Sequence, residues 1–208
     1  MTDTPEVRAR RLVDELTQRG AASQRSAAAL RAVPRHLFIP DTIYRHQRGR
    51  AGNDLVPVHR GERPEQWLAL VYADEAVNTQ VDDGQPAEDG TGWEVTSSSS
   101  QPSVVAGMLD ELRPDPGQRV LEIGTGTGWH AALLAHLVGA ENVTSIEVDP
   151  CVADRARGRA RRARQGHRDH RRRRGRPPRQ GALRPGRRNR GGGPRPVSVG
   201  RADPSGGT

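Results

Sequence analysis

The stretch that decides the fold runs from Val120 to Gly128 and reads Val-Leu-Glu-Ile-Gly-Thr-Gly-Thr-Gly. Its first four residues, Val120–Ile123, are typical of a short buried strand. The glycines then alternate with threonines, and glycine is needed where a backbone turns tightly or a ligand approaches the main chain. The next segment, Trp129–Val138, places leucines at helical spacing. The pattern therefore predicts a strand, a glycine loop and a helix.

A second strand and an acidic residue extend this unit. Val143–Val148 has strand character, and Asp149-Pro150 follows it. A strand, a helix and a second strand form a right-handed β-α-β unit with parallel strands. Glu147 lies 23 residues after Gly124, close to the roughly 20 residues expected of an acid that accepts the hydroxyls of a ribose. The helix N-terminus offers free N–H groups to an anionic part of the same ligand.

Two residues beside the glycine loop bear on the ligand. A dinucleotide fingerprint would have a third glycine or alanine at position 129, where Trp129 stands. This weakens the nicotinamide interpretation, although a dehydrogenase stays open as an alternative. Glu122, two residues before the first glycine, suits a ligand that carries an ammonium group. The histidines show no metal-ligand spacing, so we expect no metal site.

Together these features resemble the S-adenosylmethionine-dependent methyltransferases, whose first motif is similar to Leu121–Gly128. Three further segments resemble the protein-L-isoaspartate O-methyltransferase family, and the resemblance covers about residues 30–150. The segments are Ala32–Pro40, Tyr72–Asp74 and Ser99–Pro102. The resemblance implies an α/β, Rossmann-like methyltransferase fold with S-adenosylmethionine as cofactor. The cofactor-binding residues that it implies are Glu122, Gly124, Gly126, Gly128 and Glu147.

The same resemblance implies a reaction. Methyl would pass to an isoaspartyl or aspartyl carboxylate of a protein or peptide, and Ser100 matches the serine beside the reacting carboxylate. A helix cap is the alternative role for Ser100. The substrate stays open between damaged proteins and a precursor peptide. A carboxylate is already a nucleophile, so catalysis would consist mostly of alignment.

Composition divides the chain into two parts. All 33 basic residues are arginine. Residues 151–208 hold 19 of them with three acids, whereas residues 1–150 hold 14 arginines with 22 acids. We expect a disordered basic tail over residues 155–208, because its apolar residues are too few to form a core. Nucleic acid would bind it only non-specifically through phosphates, and a nucleic-acid-binding protein is the second alternative function.

The tail also supports a hypothesis about the gene. Arg, Gly, Pro and Ala dominate when GC-rich DNA is read in a wrong frame. A one-base shift of the codons for Pro196–Gly206 can spell Pro-Tyr-Pro-Trp-Val-Glu-Gln-Thr-Arg-Pro-Gly, which resembles a later segment of the same family. We therefore expect a change of frame near Arg155–Arg161, a sheet truncated after its second parallel strand, and an inactive chain.

The predicted organisation has three parts. Residues 1–96 form a helical, substrate-side region, residues 97–154 start the Rossmann-like domain, and residues 155–208 are the tail. One helix is expected over residues 5–20 and a second through Ala27–Ala32. Residues 45–65 and 82–96 are expected to be mostly loop. The single cysteine, Cys151, excludes a disulfide framework. The sequence contains no run of about 18 apolar residues, so it predicts no membrane span. We expect a cytoplasmic protein.

Overall fold

The computed structural model describes residues 3–49 and 52–174. The helices are α1 (Pro5–Gln18), α2 (Gln24–Ala32), α3 (Pro64–Val71), α4 (Pro102–Leu112), α5 (Trp129–Val138) and α6 (Pro150–Arg174). The strands are β1 (Thr42–Gly49), β2 (Gly52–His59), β3 (Val77–Val81), β4 (Val95–Ser99), β5 (Val120–Ile123) and β6 (Val143–Ile146). In the part of the chain so described, no helix combines the length and apolar character needed to cross a membrane.

Two capped helices form the N-terminal layer. The Thr4 side chain accepts a hydrogen bond from the Val7 amide at 3.4 Å, which satisfies a free N–H of the first turn of α1. Ser23 does the same for α2, accepting from the amides of Arg25 and Ser26 at 3.2 Å. Both helices pack their apolar faces into one core with α4 and α5. That core includes Leu12, Leu16, Leu30, Leu109, Leu133 and Leu134.

The N-terminal region contains a four-stranded antiparallel sheet that the sequence analysis had assigned mostly to loops. The strand order is β2-β1-β3-β4, and β1 and β2 pair over their full length. Ile43 pairs with Val58, and both are fully buried, whereas His46 and Gln47 further along β1 are exposed. One part of the hairpin packs against the core, and another part carries exposed polar residues. Because of these polar residues, the sequence pattern did not predict strands here. The N-terminal region therefore contains this sheet in addition to the expected helices, and the prediction of mostly loop over residues 45–65 is corrected by β1 and β2.

A second, smaller core lies under this sheet around Trp67. Its ring is fully buried with Ile43, Val58 and Val71. The indole Nε1 donates a hydrogen bond to the Pro40 carbonyl at 3.0 Å. Trp67 thereby joins α3, the hairpin and the segment that leads into β1.

The β-α-β unit has the predicted elements. Strands β5 and β6 pair in parallel with Val120 opposite Val143 and Ile123 opposite Ile146, and α5 spans the predicted residues. The expected α/β fold is confirmed. Strand β4 crosses the expected domain boundary between residues 96 and 97.

Helix α6 corrects one expectation. Disorder was predicted from residue 155, but the backbone is helical through Arg174. Arginine and alanine both favour helices, and Val152 and Ala156 are buried on the inner side of α6. The rest of the expected tail, residues 175–208, lies outside the described residues.

We expect Trp67→Ala to lower the free energy of unfolding by about 3–5 kcal/mol, because it empties a fully buried site. The matched control is Trp93→Ala, since the Trp93 side chain is 64% exposed. That change should stay within about 0.5 kcal/mol. Urea unfolding of both variants measures the difference, and equal losses would contradict the assignment of this core.

Candidate functional site

The three glycines of the loop all adopt backbone angles that favour glycine. The φ values are +87° at Gly124, +53° at Gly126 and +82° at Gly128. A Cβ placed on Gly126 would lie 3.2 Å from the Ser98 carbonyl oxygen, and one on Gly128 would lie 3.3 Å from the Ala156 Cβ. The loop therefore lies between the end of β4 and helix α6, and a side chain at either of these two positions would make a tight contact.

Glu147 is brought to the glycine loop, as the sequence predicted. Its Oε2 accepts a hydrogen bond from the Gly126 amide at 2.8 Å. Its Oε1 accepts from the amides of Val148 at 2.9 Å and Asp149 at 3.2 Å. The carboxylate is thus fixed at the carboxyl end of β6, beside the loop. Contact between Glu147 and a ribose stays a prediction.

Glu122 lies beneath the glycine loop and helps to hold it in position. The side chain is buried, and it accepts a hydrogen bond from the Ser145 hydroxyl. Its Oε1 lies 2.8 Å from Nδ1 of His130. The Ser145 hydroxyl also lies 2.6 Å from the Thr125 hydroxyl, within the loop itself. Glu122 therefore has a structural role, and its predicted contact with an ammonium group stays a prediction.

The segment that carries Ser100 is held by Arg35, a residue that the sequence analysis did not assign to the site. Arg35 is 1% exposed. Its guanidinium donates to the carbonyls of Ser99 at 3.0 Å and Ser100 at 2.9 Å. It also donates to the carbonyls of Val71 at 2.9 Å and Glu75 at 3.1 Å. The buried guanidinium of Arg35 therefore holds the backbone at Val71 and Glu75 as well as at Ser99 and Ser100.

Burial also changes the charge properties of Arg35. It lowers the pKa of the guanidinium to about 10, and the nearby Asp74 carboxylate partly opposes this shift. Arg35 therefore stays charged at neutral pH. Its Cζ lies 5.2 Å from the centre of the Trp129 ring, a distance typical of a cation–π contact. Trp129 in turn donates from Nε1 to the Val33 carbonyl at 3.0 Å.

Asp74 holds the start of α4. Its Oδ1 accepts from the Ser103 amide at 2.7 Å, and its Oδ2 accepts from the Gln101 side chain at 3.2 Å. Arg19, which directly follows α1, pairs with the same carboxylate. Burial alone would raise the pKa of Asp74, but the hydrogen bonds from Ser103, Gln101 and Arg19 bring it below the usual value. Asp74 therefore serves as a helix cap supplied from a distant loop.

The segments that resembled one family thus meet in space. Arg35 belongs to the first, Asp74 to the second, and both bind the third, which holds Ser100. Ser100 is exposed at the turn between β4 and α4, two residues beyond Ser98, whose carbonyl a Cβ on Gly126 would approach to 3.2 Å. A charged residue within the apolar, proline-bounded segment 33–40 was the sequence signal for Arg35. The catalytic role of Ser100 stays a prediction.

No group of three His, Cys, Asp or Glu side chains that could hold a metal ion occurs within residues 3–49 and 52–174. The candidate site therefore rests on carboxylates, one buried guanidinium and backbone groups.

Comparisons with known proteins agree on one family. Residues 49–169 match the family model described as protein-L-isoaspartate(D-aspartate) O-methyltransferase. Protein-L-isoaspartate O-methyltransferase 2 of Anaeromyxobacter sp. (strain Fw109-5) is 37% identical over 71% of this chain and 44% of its own length. Protein-L-isoaspartate O-methyltransferase of Methanoculleus marisnigri is 35% identical over 69% of this chain and 47% of its own length.

A solved structure titled protein-L-isoaspartate O-methyltransferase is also similar. It superposes with a TM-score of 0.50 and 26% identity over 74% of this chain and 38% of that chain. The chain thus spans about half the length of the curated relatives it matches.

We expect Arg35→Met to lower the free energy of unfolding by about 3 kcal/mol, because several buried carbonyls lose their donor at once. The control is Arg31→Met, which removes an ion pair with Asp14 whose side chains are 43% and 47% exposed. Exposed pairs contribute less than about 1 kcal/mol. Urea unfolding compares the two variants, and a loss at Arg35 no larger than at Arg31 would contradict the role assigned to Arg35.

Proposed function

Because the chain belongs to the protein-L-isoaspartate(D-aspartate) O-methyltransferase family, we propose that its glycine loop and Glu147 hold S-adenosylmethionine for O-methylation of a protein or peptide. The acceptor is an isoaspartyl or aspartyl carboxylate. The observation that carries the proposal is the Glu147 carboxylate fixed 2.8 Å from the Gly126 amide. That contact puts Glu147, the acid that we propose binds the ribose, directly beside the glycine loop.

The residues of the loop fit such a ligand. A Cβ at Gly126 would lie 3.2 Å from a backbone oxygen, and φ there is +53°, so a side chain at this position would strain the loop. Glu147 would accept the ribose hydroxyls, and Glu122 would keep the loop in position from below. Trp129, which stands where a dinucleotide fingerprint has its third glycine, is buried against the N-terminal layer.

The proposed reaction depends mainly on the alignment of the carboxylate with the methyl group. The cofactor supplies a methyl group on a positively charged sulfur. A carboxylate oxygen forms the new bond to that methyl carbon as the carbon–sulfur bond breaks, which leaves a methyl ester and S-adenosylhomocysteine without proton transfer. Ser100 would orient the carboxylate, and Arg35 holds the Ser100 backbone through a hydrogen bond to its carbonyl. The rate of methyl transfer would come from the exclusion of water and the correct placement of the two reactants.

The comparisons support neither alternative function, the dehydrogenase or the nucleic-acid-binding protein. Non-specific contact of the basic residues with nucleic acid, the cytoplasmic location and the type of peptide substrate stay predictions.

We also propose that the end of the chain is read out of frame. The family match extends to residue 169, past the break expected near residues 155–161, so we place the change of frame after the matched residues. The described residues supply one parallel pair of strands, β5 and β6. Within residues 3–49 and 52–174 no later strand completes an opposing wall that would hold the cofactor, and we propose that the 208-residue chain is inactive.

We predict methyl transfer at background level for the 208-residue chain and transfer above background for a version with the frame restored after residue 169. The measurement is the transfer of labelled methyl to a peptide that contains isoaspartate or aspartate. Equal transfer by both versions would refute the proposal about the tail. A folded, frame-restored protein without any transfer would refute the proposed function.

In the frame-restored protein, Glu147→Ala should weaken the binding of S-adenosylhomocysteine by about 1.5–3 kcal/mol, the value of hydrogen bonds to a charged acceptor. Isothermal titration calorimetry measures it. Glu141→Ala is the matched control, because Glu141 is exposed and lies just after α5. A loss at Glu147 equal to that at Glu141 would place Glu147 outside the cofactor site.

A further inference from the structure

A polar pocket lies between helix α6 and the antiparallel sheet, next to the glycine loop. Strands β3 and β4, the loop and α6 all contribute to its lining, which includes Thr79, Gln80, Ser97, Gly126, Arg155 and Arg159. Apart from Gly126, it contains none of the residues assigned above to the cofactor or to the acceptor carboxylate. The pocket is therefore a neighbour of the proposed site and has no role in the account so far.

Two arginines give this pocket a positive charge. Arg155 and Arg159 are four residues apart on α6, a spacing at which like charges destabilise a helix. Neither forms an ion pair with any residue that the structure describes, whereas Arg157 pairs with Asp154 at 2.7 Å on the same helix. A bound anion would offset the repulsion between Arg155 and Arg159.

The charges around Arg159 leave its positive charge largely uncompensated. Burial lowers the pKa of the Arg159 guanidinium, and the positive charges of Arg155 and Arg162 lower it further, whereas Asp41 opposes the shift. The Asp41 carboxylate also pairs with Arg60 at 3.7 Å. Positive charge therefore dominates at the α6 side of the pocket.

Gln80 adds a second, independent observation. Its side chain is 5% exposed, and its Nε2 donates a hydrogen bond to Oδ2 of Asp149 at 2.9 Å. Its Oε1 is buried and has no donor within residues 3–49 and 52–174. The Asp149 carboxylate only accepts, and it already accepts from the amides of Cys151 and Val152. A buried acceptor without a donor costs free energy, and a ligand N–H would supply that donor.

The pocket lies close to Ser100 along the chain. Ser97 lines the pocket and precedes Ser100 by three residues, and three residues of extended chain span about 10 Å. A peptide whose reacting carboxylate lies at Ser100 would therefore bring residues about three positions away within reach of the pocket.

We propose that this pocket binds an acidic side chain of the peptide substrate, about three residues from the isoaspartyl or aspartyl acceptor. The acidic carboxylate accepts hydrogen bonds from Arg155 and Arg159, and a backbone N–H of the same peptide donates to Gln80. The inference rests on the proposed function and adds to it a preference for acidic peptides.

The test is calorimetry of peptide binding to the full 208-residue chain without cofactor. Two short peptides carry an isoaspartate, and they differ only at the positions three residues before and after it, which are glutamate in one and glutamine in the other. We expect the glutamate peptide to bind about tenfold more tightly, because its carboxylate forms charge-assisted hydrogen bonds. The double variant Arg155→Gln, Arg159→Gln should bind both peptides equally.

The matched control is the double variant Arg157→Gln, Arg161→Gln, which removes the same charge from the same helix. Both of these arginines are exposed, and neither lines the pocket. The control should keep the preference for glutamate, and thermal unfolding should show that both double variants keep their fold.

Equal affinity of the unmodified chain for the two peptides would overturn the proposal. So would a preference that survives in the Arg155, Arg159 variant, or one that the control loses as well, since basic residues in general would then attract the peptide. Inorganic phosphate that binds as tightly as the glutamate peptide would also overturn it. A glutamate preference without methyl transfer by the frame-restored protein would contradict the proposed function alone, and methyl transfer without the preference would contradict this inference alone.

Discussion

The structure depends on a buried guanidinium that bonds to backbone carbonyls from separate parts of the chain. Arg35 joins the end of α3, the loop before β3 and the turn between β4 and α4. A buried cation is costly unless its donors are satisfied, and this network satisfies them with backbone carbonyls. The position of Ser100 is thus set by a residue 65 positions earlier in the chain.

The same constraint reaches the glycine loop. Trp129 begins α5 directly after Gly128, and its ring lies against Arg35. On the other side, Glu147 bonds to the Gly126 amide and Asp74 bonds to the Ser103 amide. Two carboxylates and one guanidinium therefore fix the backbone around the site in the free protein. Such preorganisation is what an alignment reaction needs.

Local signals predicted the β-α-β unit because its strands, glycines and helix follow one another within 30 residues. The β1–β2 hairpin was not predicted because most of its length is polar; among its residues with described burial, Ile43, Leu55 and Val58 are the fully buried ones. The sequence predicted Glu147 as an acid at the end of the second strand, and the structure places it beside the loop. It missed Arg35 and the bracing role of Glu122, since both depend on contacts between segments that pattern reasoning treats separately.

The central claim is that charged side chains fix the backbone of the site before any ligand binds. Residue-resolved hydrogen exchange of the free chain tests it directly, because the acceptors of the Gly126 and Ser103 amides are the carboxylates of Glu147 and Asp74. The account predicts that both amides exchange as slowly as the hydrogen-bonded amides of β3. Exchange of these two amides at the rate of open turns would contradict it.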